Sequence, residues 1–294
     1  MRLLVFNPWH EEALAANSPY YTPTLAAQRQ ERRYDACGTL PWAEAGDCVW
    51  RPGVEVDWSQ VESIEPWGWD LLLRARLRKA GAPEHLLPTD ARLEAIRRLS
   101  SRATAVRVLA QLRHERFVGK AFLCASEGEV WEGIGACGSD RVVIKSPYSC
   151  SGRGLVFLDV VRGADGSLGA DDASRLRRVH KMLRQQGAVV VEKYCRNDAD
   201  LALEFFYADG ELSPTGLNVF RTTPQGQYLE NVSADVLKAD NRVLIEAARE
   251  QLQTVLPREL RADYCGPLGV DMMLSGKCLH PCVEINLRRT MGQF

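Results

Sequence analysis

The 294-residue sequence predicts a two-lobed α/β protein, and three observations carry that expectation. At ~150 residues per domain, the length corresponds to two domains or one large α/β unit. The chain is 46% hydrophobic and 26% charged, the balance of a protein that buries a core. Short apolar runs punctuated by Gly, Pro and Asn alternate with stretches of three- and four-residue apolar spacing, as strands interleaved with helices do. Charge then narrows the function. Thirty-seven Lys and Arg against 38 Asp and Glu leave a net charge of −1, which excludes a large sequence-independent nucleic-acid binder. No apolar run reaches the ~20 residues needed to span a bilayer, and the opening MRLLVF is too short for a secretion-signal core. Nine cysteines, an odd number without framework spacing, read as free thiols of a reducing compartment. A cytoplasmic location without nucleic-acid or membrane partners is expected.

Residues 2–6 form an apolar run ended by Asn7-Pro8, a first buried strand. A long loop from Asn7 to Pro23 follows, dense in aromatic and polar residues, then a short helix over 24–34. Residues 35–69, rich in Trp, Gly and Pro, read as irregular or short-stranded. Leu71, Leu72, Ala75 and Leu77 fall at helical spacing before Gly81, and ARLEAIRRLSSRATAVRVLAQLR from residue 91 reads as one or two amphipathic helices. RVVIK (141–145), the turn SPYSCSGRG (146–154) and LVFLDVV (155–161) make strand, flexible loop, strand. Asp171 or Asp172 caps a helix ended by Gly187. VVVEKY (189–194), LALEFFYAD (201–209) and LNVFRTT (217–223) are further strands. Residues 241–256 are helical by period, and GPLGVDMML (266–274) and KCLHPCVEIN (277–286) are two final strands joined at Ser275-Gly276.

Several motif matches fail on context. Gly133 to Gly138 fits G-x-G-x-x-G, but the dinucleotide fingerprint opens a helix after a strand, and here a strand follows, so a loop is expected. His10-Glu11-Glu12 lacks the second histidine of a zinc-protease helix. Cys278, His280 and Cys282 alternate along one strand and would share a face, yet no fourth zinc ligand is evident. Two clusters carry more. Lys145 ends an apolar strand as a fixed cation, and Ser149, Ser151, Gly152, Arg153 and Gly154 just beyond it let backbone N–H groups close over an anion. Asp271, Glu284 and Asn286 lie in apolar strands, where an unpaired carboxylate is costly. Glu284 and Asn286 point to one face, and a neighbouring strand that brings Asp271 alongside completes an oxygen set for Mg²⁺. Arg288 continues that face as a clamp for phosphate or carboxylate.

The order of these pieces, strand-Lys, Gly-rich loop, strand-Glu, then strand-Asp and Glu-x-Asn, resembles the ATP-grasp superfamily over residues 90–292, most strongly in GVDMML and CVEINLRRTMG. The resemblance implies two α+β lobes clamping ATP, preceded by a small α/β pre-ATP-grasp domain: residues 1–92, then 93–188 as the central lobe, then 189–294 as the C-terminal lobe with hinge and metal site. It implies that Lys145 and Arg102 reach the phosphates, that residues 149–154 form the flap, that Glu192, Lys193, Tyr194 and Cys195 form the adenine hinge, and that Asp200 takes the ribose. Asp271, Glu284 and Asn286 would hold two Mg²⁺ ions, for which Mn²⁺ substitutes. A further phosphate-binding cation is open between Arg221 and Lys238.

The implied activity is a ligase that uses Mg-ATP to activate a small-molecule carboxylate as an acylphosphate for attack by an amine or thiol, the chain acting as a homodimer. Lys145 and Arg288 would be its catalytic residues. A kinase acting on a small-molecule hydroxyl, and a non-catalytic nucleotide-binding regulator, are the alternatives; the complete Asp/Glu/Asn set weighs against the second. The 7–23 loop, with His10, Glu11 and Asn17, and Arg221 farther on, are the candidates for the non-nucleotide substrate.

Overall fold

The computed structural model describes residues 1–37, 40–149, 154–223 and 228–293. Its amino-terminal layer starts with β1 (Arg2–Val5), followed by α1 (His10–Ala16), α2 (Leu25–Cys37), β2 (Cys48–Val49), β3 (Ser63–Pro66) and α3 (Leu71–Lys79). The three strands pair in parallel in the order β2-β1-β3. Leu3 and Val5 pack with Trp50, Ile64, Leu73 and Leu77 on one side, and Leu4 and Phe6 with Leu40 and Trp67 on the other. A strand buried on both faces in this way reads as a continuous apolar run. The 7–23 segment is not the continuous loop expected: Pro8 and Trp9 lead into α1, whose Glu11 and Glu12 sit in its first turn and which Asn17 ends in a left-handed conformation (φ 48°).

The second layer comprises α4 (Asp90–Leu99) and α5 (Arg102–Leu109), capped by the side chains of Thr89 and Ser101. Then come β4 (Ala121–Cys124), α6 (Glu127–Cys137), β5 (Arg141–Lys145), β6 (Leu155–Arg162), β7 (Leu168–Ala170), α7 (Ala173–Gln186) and β8 (Val189–Lys193). Its antiparallel sheet runs β4-β8-β5-β6-β7, with α6 and α7 burying Val130, Ile134, Val179 and Met182 against it. Asp172 caps α7 through the Ser174 amide at 2.7 Å, and Gly187 ends it at φ 76°. The 133–138 glycines do not form a loop. Ser126 starts α6 three residues before Glu129, and the helix runs through Gly133, where a Cβ would sit only 3.1 Å from Cys124 Sγ. Gly133 lets α6 approach the sheet, and Gly138 ends the helix at φ 61°.

The third layer holds β9 (Ala199–Ala208), β10 (Glu211–Thr222), β11 (Tyr228–Val232), α8 (Ala239–Leu260), β12 (Gly266–Ser275) and β13 (Cys278–Asn286), in the antiparallel order β11-β10-β9-β12-β13. Its core takes in α4 and α5 as well as α8: Ile96, Leu99, Ala105 and Val108 pack with Leu244, Leu252, Phe205 and Leu268. The amino-terminal core ends at Leu87 and the next begins at Ile96, on either side of residue 92, whereas the apolar stripes of α4 and α5, expected in the central lobe with 93–188, are buried against the carboxy-terminal sheet. Among the described residues no helix is long and apolar enough to cross a membrane.

Candidate active site between two sheets

A cavity of about 760 Å³ lies between the two five-stranded sheets, walled at one end by the amino-terminal layer. On one side, β5 and β8 bring Lys145 and Glu192 to it. Both are buried, and Lys145 Nζ donates to Glu192 Oε1 at 2.8 Å. His280 on β13 places Nε2 3.5 Å from the same oxygen. Burial opposes ionisation of Glu192, yet Lys145 and His280 outweigh it and hold the carboxyl down at about 2. Arg102, in the first turn of α5, is also buried. It donates to Ser146 O at 2.7 Å, to Ser149 Oγ at 2.6 Å and to Glu284 Oε2 at 2.8 Å. The turn leaving β5 is thereby tied to the opposite sheet. Gly154 has φ 69°, and its carbonyl accepts from the Ser146 amide at 2.9 Å. Ser151, Gly152 and Arg153 lie outside the described residues.

The hinge segment splits. Tyr194 and Cys195 line the cavity beside Phe157 and Met272, an apolar slot of the kind that accepts a planar ring, whereas Lys193 is exposed and forms no part of the wall. Asp200, at the start of β9, lines the cavity and accepts from Thr222 Oγ1 at 2.6 Å.

The carboxylate cluster forms on the third-layer sheet as the spacing requires. Asp271 on β12 is paired directly with Glu284 on β13, and Gly269 with Asn286. Asn286 Nδ2 donates to Asp271 Oδ2 at 3.1 Å. Burial, then the negative charge of Glu284 and Glu204, push the Asp271 carboxyl up to about 8. Two adjacent acids and an amide oxygen on one half-buried face, with one acid forced towards its protonated form, are a donor set short of a cation. Their chemistry fits a hard divalent ion.

Arg288 is half-buried, donates Nη2 to Asn286 Oδ1 at 3.1 Å, stacks 5.2 Å from the Trp67 ring and forms an ion pair with Glu11. That pair corrects the expectation for Glu11, because its carboxylate is already committed to a cation of the chain. Replacing Glu11 with Gln should lower stability on the order of 2 kcal/mol, because it leaves a half-buried Arg288 without its counter-charge. Urea denaturation checks this, and a variant of native stability would return Glu11 to the substrate.

Four other candidates fall outside the cavity. His10 is buried, with Nδ1 3.2 Å from Asp70 Oδ2, on an oxygen that also accepts from Asn7 Nδ2 at 2.9 Å. Asn17 is the exposed end of α1. Arg221 is exposed and bonds Glu230 at 3.2 Å, because alternation along β10 turns Phe220 and Thr222 to the cavity instead. Lys238, before α8, is likewise exposed and off the cavity wall. Cys278, His280 and Cys282 do not share a face: pairing of β12 with β13 shifts between Asp271 and Met273, so Cys282 turns to Ala105 in the core while His280 turns to Glu192.

Sequence reasoning missed Glu204. It lies on β9 with Asp200 and Ala202 on the cavity face, is 1% exposed, and accepts from Thr290 Oγ1 at 2.7 Å. Burial pushes its carboxyl up to about 7, against the Thr290 bond and the charge of Arg288. The signal was present in LALEFFYAD, a carboxylate inside an otherwise apolar strand.

No family model matches the sequence, and no curated protein is similar to it. Solved structures do share its architecture. N5-carboxyaminoimidazole synthetase from Staphylococcus aureus, complexed with ADP, superposes with a TM-score of 0.56 at 13% identity, over 99% of this chain and 71% of that one. D-cycloserine synthetase DcsG gives 0.52 at 16% identity, over 99% and 92%. D-alanine–D-alanine ligase from Bacillus anthracis, complexed with ATP, gives 0.53 at 12% identity, over 98% and 86%. At these identities the likeness is one of fold.

Proposed function

From the ATP-grasp fold that this chain carries, we propose that it is a ligase: it uses Mg-ATP to activate a small-molecule carboxylate as an acylphosphate, which an amine then attacks. The observation that carries this reading is one cavity that brings buried Lys145 and Arg102 together with Asp271, Glu284 and Asn286. Phosphoryl transfer depends on position and charge neutralisation, and the cavity offers both without a protein nucleophile. Lys145 and Arg102 bind phosphate oxygens from fixed positions. Tyr194, Cys195 and Phe157 receive the base, and Asp200 the ribose. Arg288, held by Glu11 and Trp67, orients Asn286 and faces the reacting carboxylate. Asp271, Glu284 and Asn286 hold the magnesium ions, which neutralise phosphate charge when bound. The amino-terminal layer closes the end of the cavity and shapes the substrate site. The solved neighbours that contain ADP or ATP support the nucleotide part of this reading.

Release of ADP from Mg-ATP that depends on both an amino acid carboxylate and an amine tests the proposal. ADP with a phosphoester would point to a kinase, and no ADP would contradict turnover.

The acid pair makes a second prediction. Asp271 and Glu204 titrate near 8 and 7 in the folded protein, above the ~4 of free carboxyls. Between those limits the folded, metal-free state binds more protons than the unfolded chain, so its stability falls as pH rises. Glu192 acts oppositely, its contribution being lost only as pH falls towards about 2. Magnesium needs ionised Asp271 and must displace its proton, so the Mg²⁺-induced rise in Tm should grow from pH ~5.5 to pH ~8. Thermal melts with and without Mg²⁺ measure this, and a shift independent of pH contradicts it.

A further inference from the structure

His280 on β13 is fully buried, yet neither ring nitrogen has a hydrogen-bond partner among the described residues. The chain nevertheless makes room for it. Gly119 lies against the ring at φ 110°, and a Cβ there would sit 2.5 Å from Nε2. That nitrogen is 3.5 Å from Glu192 Oε1, the same oxygen that accepts from Lys145 Nζ at 2.8 Å. An imidazole is thus kept beside a buried carboxylate that already has its cation.

The rest of its surroundings carries little charge. The loop before β4 brings Gly119, and the next residue, Lys120, turns its ammonium away to Ala136 O. The residue paired with His280 on β12 is Met273. Burial pushes up the thiols of Cys195 after β8, Cys137 on α6 and Cys282 on β13, which keeps them neutral. Cys278, two residues back on β13, is the remaining titratable neighbour. The charges set against the ring are therefore those of Glu192 and, behind it, Lys145. While these two balance, a proton on the ring would be one buried cation too many.

Nucleotide upsets that balance. A Lys145 ammonium drawn to phosphate oxygens no longer neutralises Glu192 alone, and a buried carboxylate that loses its counter-charge is costly. The nearby guanidinium groups are committed, Arg102 to Glu284 and Arg288 to Glu11. We propose that His280 is a positioning residue that frees Lys145 for the nucleotide: as Lys145 turns to phosphate, the imidazole takes one proton from solvent and becomes the second cation on Glu192. The proton returns to solvent when the nucleotide leaves. At 3.5 Å against 2.8 Å, the imidazolium offsets only part of the charge that Lys145 withdraws. This deepens the ligase reading and rests on its assignment of Lys145 to phosphate.

Calorimetric titration with Mg-ADP, at one pH in buffers of different ionisation enthalpy, counts the protons bound with the nucleotide. The wild type should take up more protons than His280→Phe, which keeps a ring against Gly119 but cannot be protonated. The comparison cancels protons that both proteins exchange, including the one Mg²⁺ displaces from Asp271. His280→Phe should also bind Mg-ADP ~10-fold or more weakly. With Glu192→Gln in place no bare carboxylate needs compensating, so adding His280→Phe should change neither affinity nor proton count. On the wild type itself, ¹⁵N NMR of the imidazoles should show one histidine passing to its protonated form on addition of Mg-ADP, a readout that needs no variant. Equal proton counts in wild type and His280→Phe, an affinity loss that persists undiminished in the Glu192→Gln background, or imidazole signals unmoved by Mg-ADP would each overturn the proposal while leaving the nucleotide reading in place. A wild type that binds no Mg-ADP would overturn that reading, and the proposal with it.

Discussion

Replacing Lys145 with Met should lower ADP formation by ~10²–10³-fold, the effect of losing one fixed charge aimed at the transition state. It should also destabilise the protein by ~3–5 kcal/mol, because Glu192 is left buried beside His280 without its main counter-charge. The two effects separate in a double variant. Lys145→Met with Glu192→Gln removes the orphaned charge, so most of the lost stability should return while turnover stays low. Urea midpoints and a coupled ADP assay on the two variants report each effect. A folded Lys145→Met protein with undiminished turnover would remove Lys145 from the reaction, and a double variant no more stable than the single would show that the pair is not the source of the loss.

Joint replacement of Glu284 with Gln and Asn286 with Ala should have an effect of similar size on turnover, ~10²-fold or more, by removing the charge of one donor and the oxygen of another. Its signature is specific. Removing the Glu284 charge relieves a repulsion that raises Asp271, so the Asp271 carboxyl should move back down while the Mg²⁺-induced rise in Tm disappears. Melts across pH with and without Mg²⁺ read both. Retained Mg²⁺ stabilisation would place the ion elsewhere, and alkylation of Cys278 should not reproduce the loss, since that thiol is not among the donors.

The parts of this site that were legible in the sequence are those in which one residue contradicts its local context. Lys145 closes an apolar strand, and Asp271 and Glu284 interrupt apolar strands; burial makes such residues costly unless they have a task. Alternation then aligned Glu284 with Asn286, and pairing with Asp271 followed from the antiparallel order. What stayed hidden depends on partners remote in the chain. Glu11 looked free because Arg288 is 277 residues away, and His10 because Asp70 is 60 away. Arg221 was a candidate for the cation that the resemblance implies between hinge and metal strands, but the register shift of β10 between Pro214 and Gly216 precedes it, and the final alternation turns it outward. Cys278, His280 and Cys282 alternate in sequence, yet a bulge opposite Met272 breaks the period that made them one face. Helix α1 escaped notice because seven residues after a proline carry too little periodic signal against the aromatics around them.

The most direct measurement on the central claim follows the oxygen of the activated carboxylate. With amino acid substrates labelled with ¹⁸O in the carboxyl group, Mg-ATP and an amine, transfer through an acylphosphate must move one labelled oxygen from carboxylate to inorganic phosphate, which ³¹P NMR resolves. The account predicts labelled phosphate appearing in step with ADP. ADP accompanied by unlabelled phosphate, or by a phosphoester that keeps the label in its carboxylate, would contradict it.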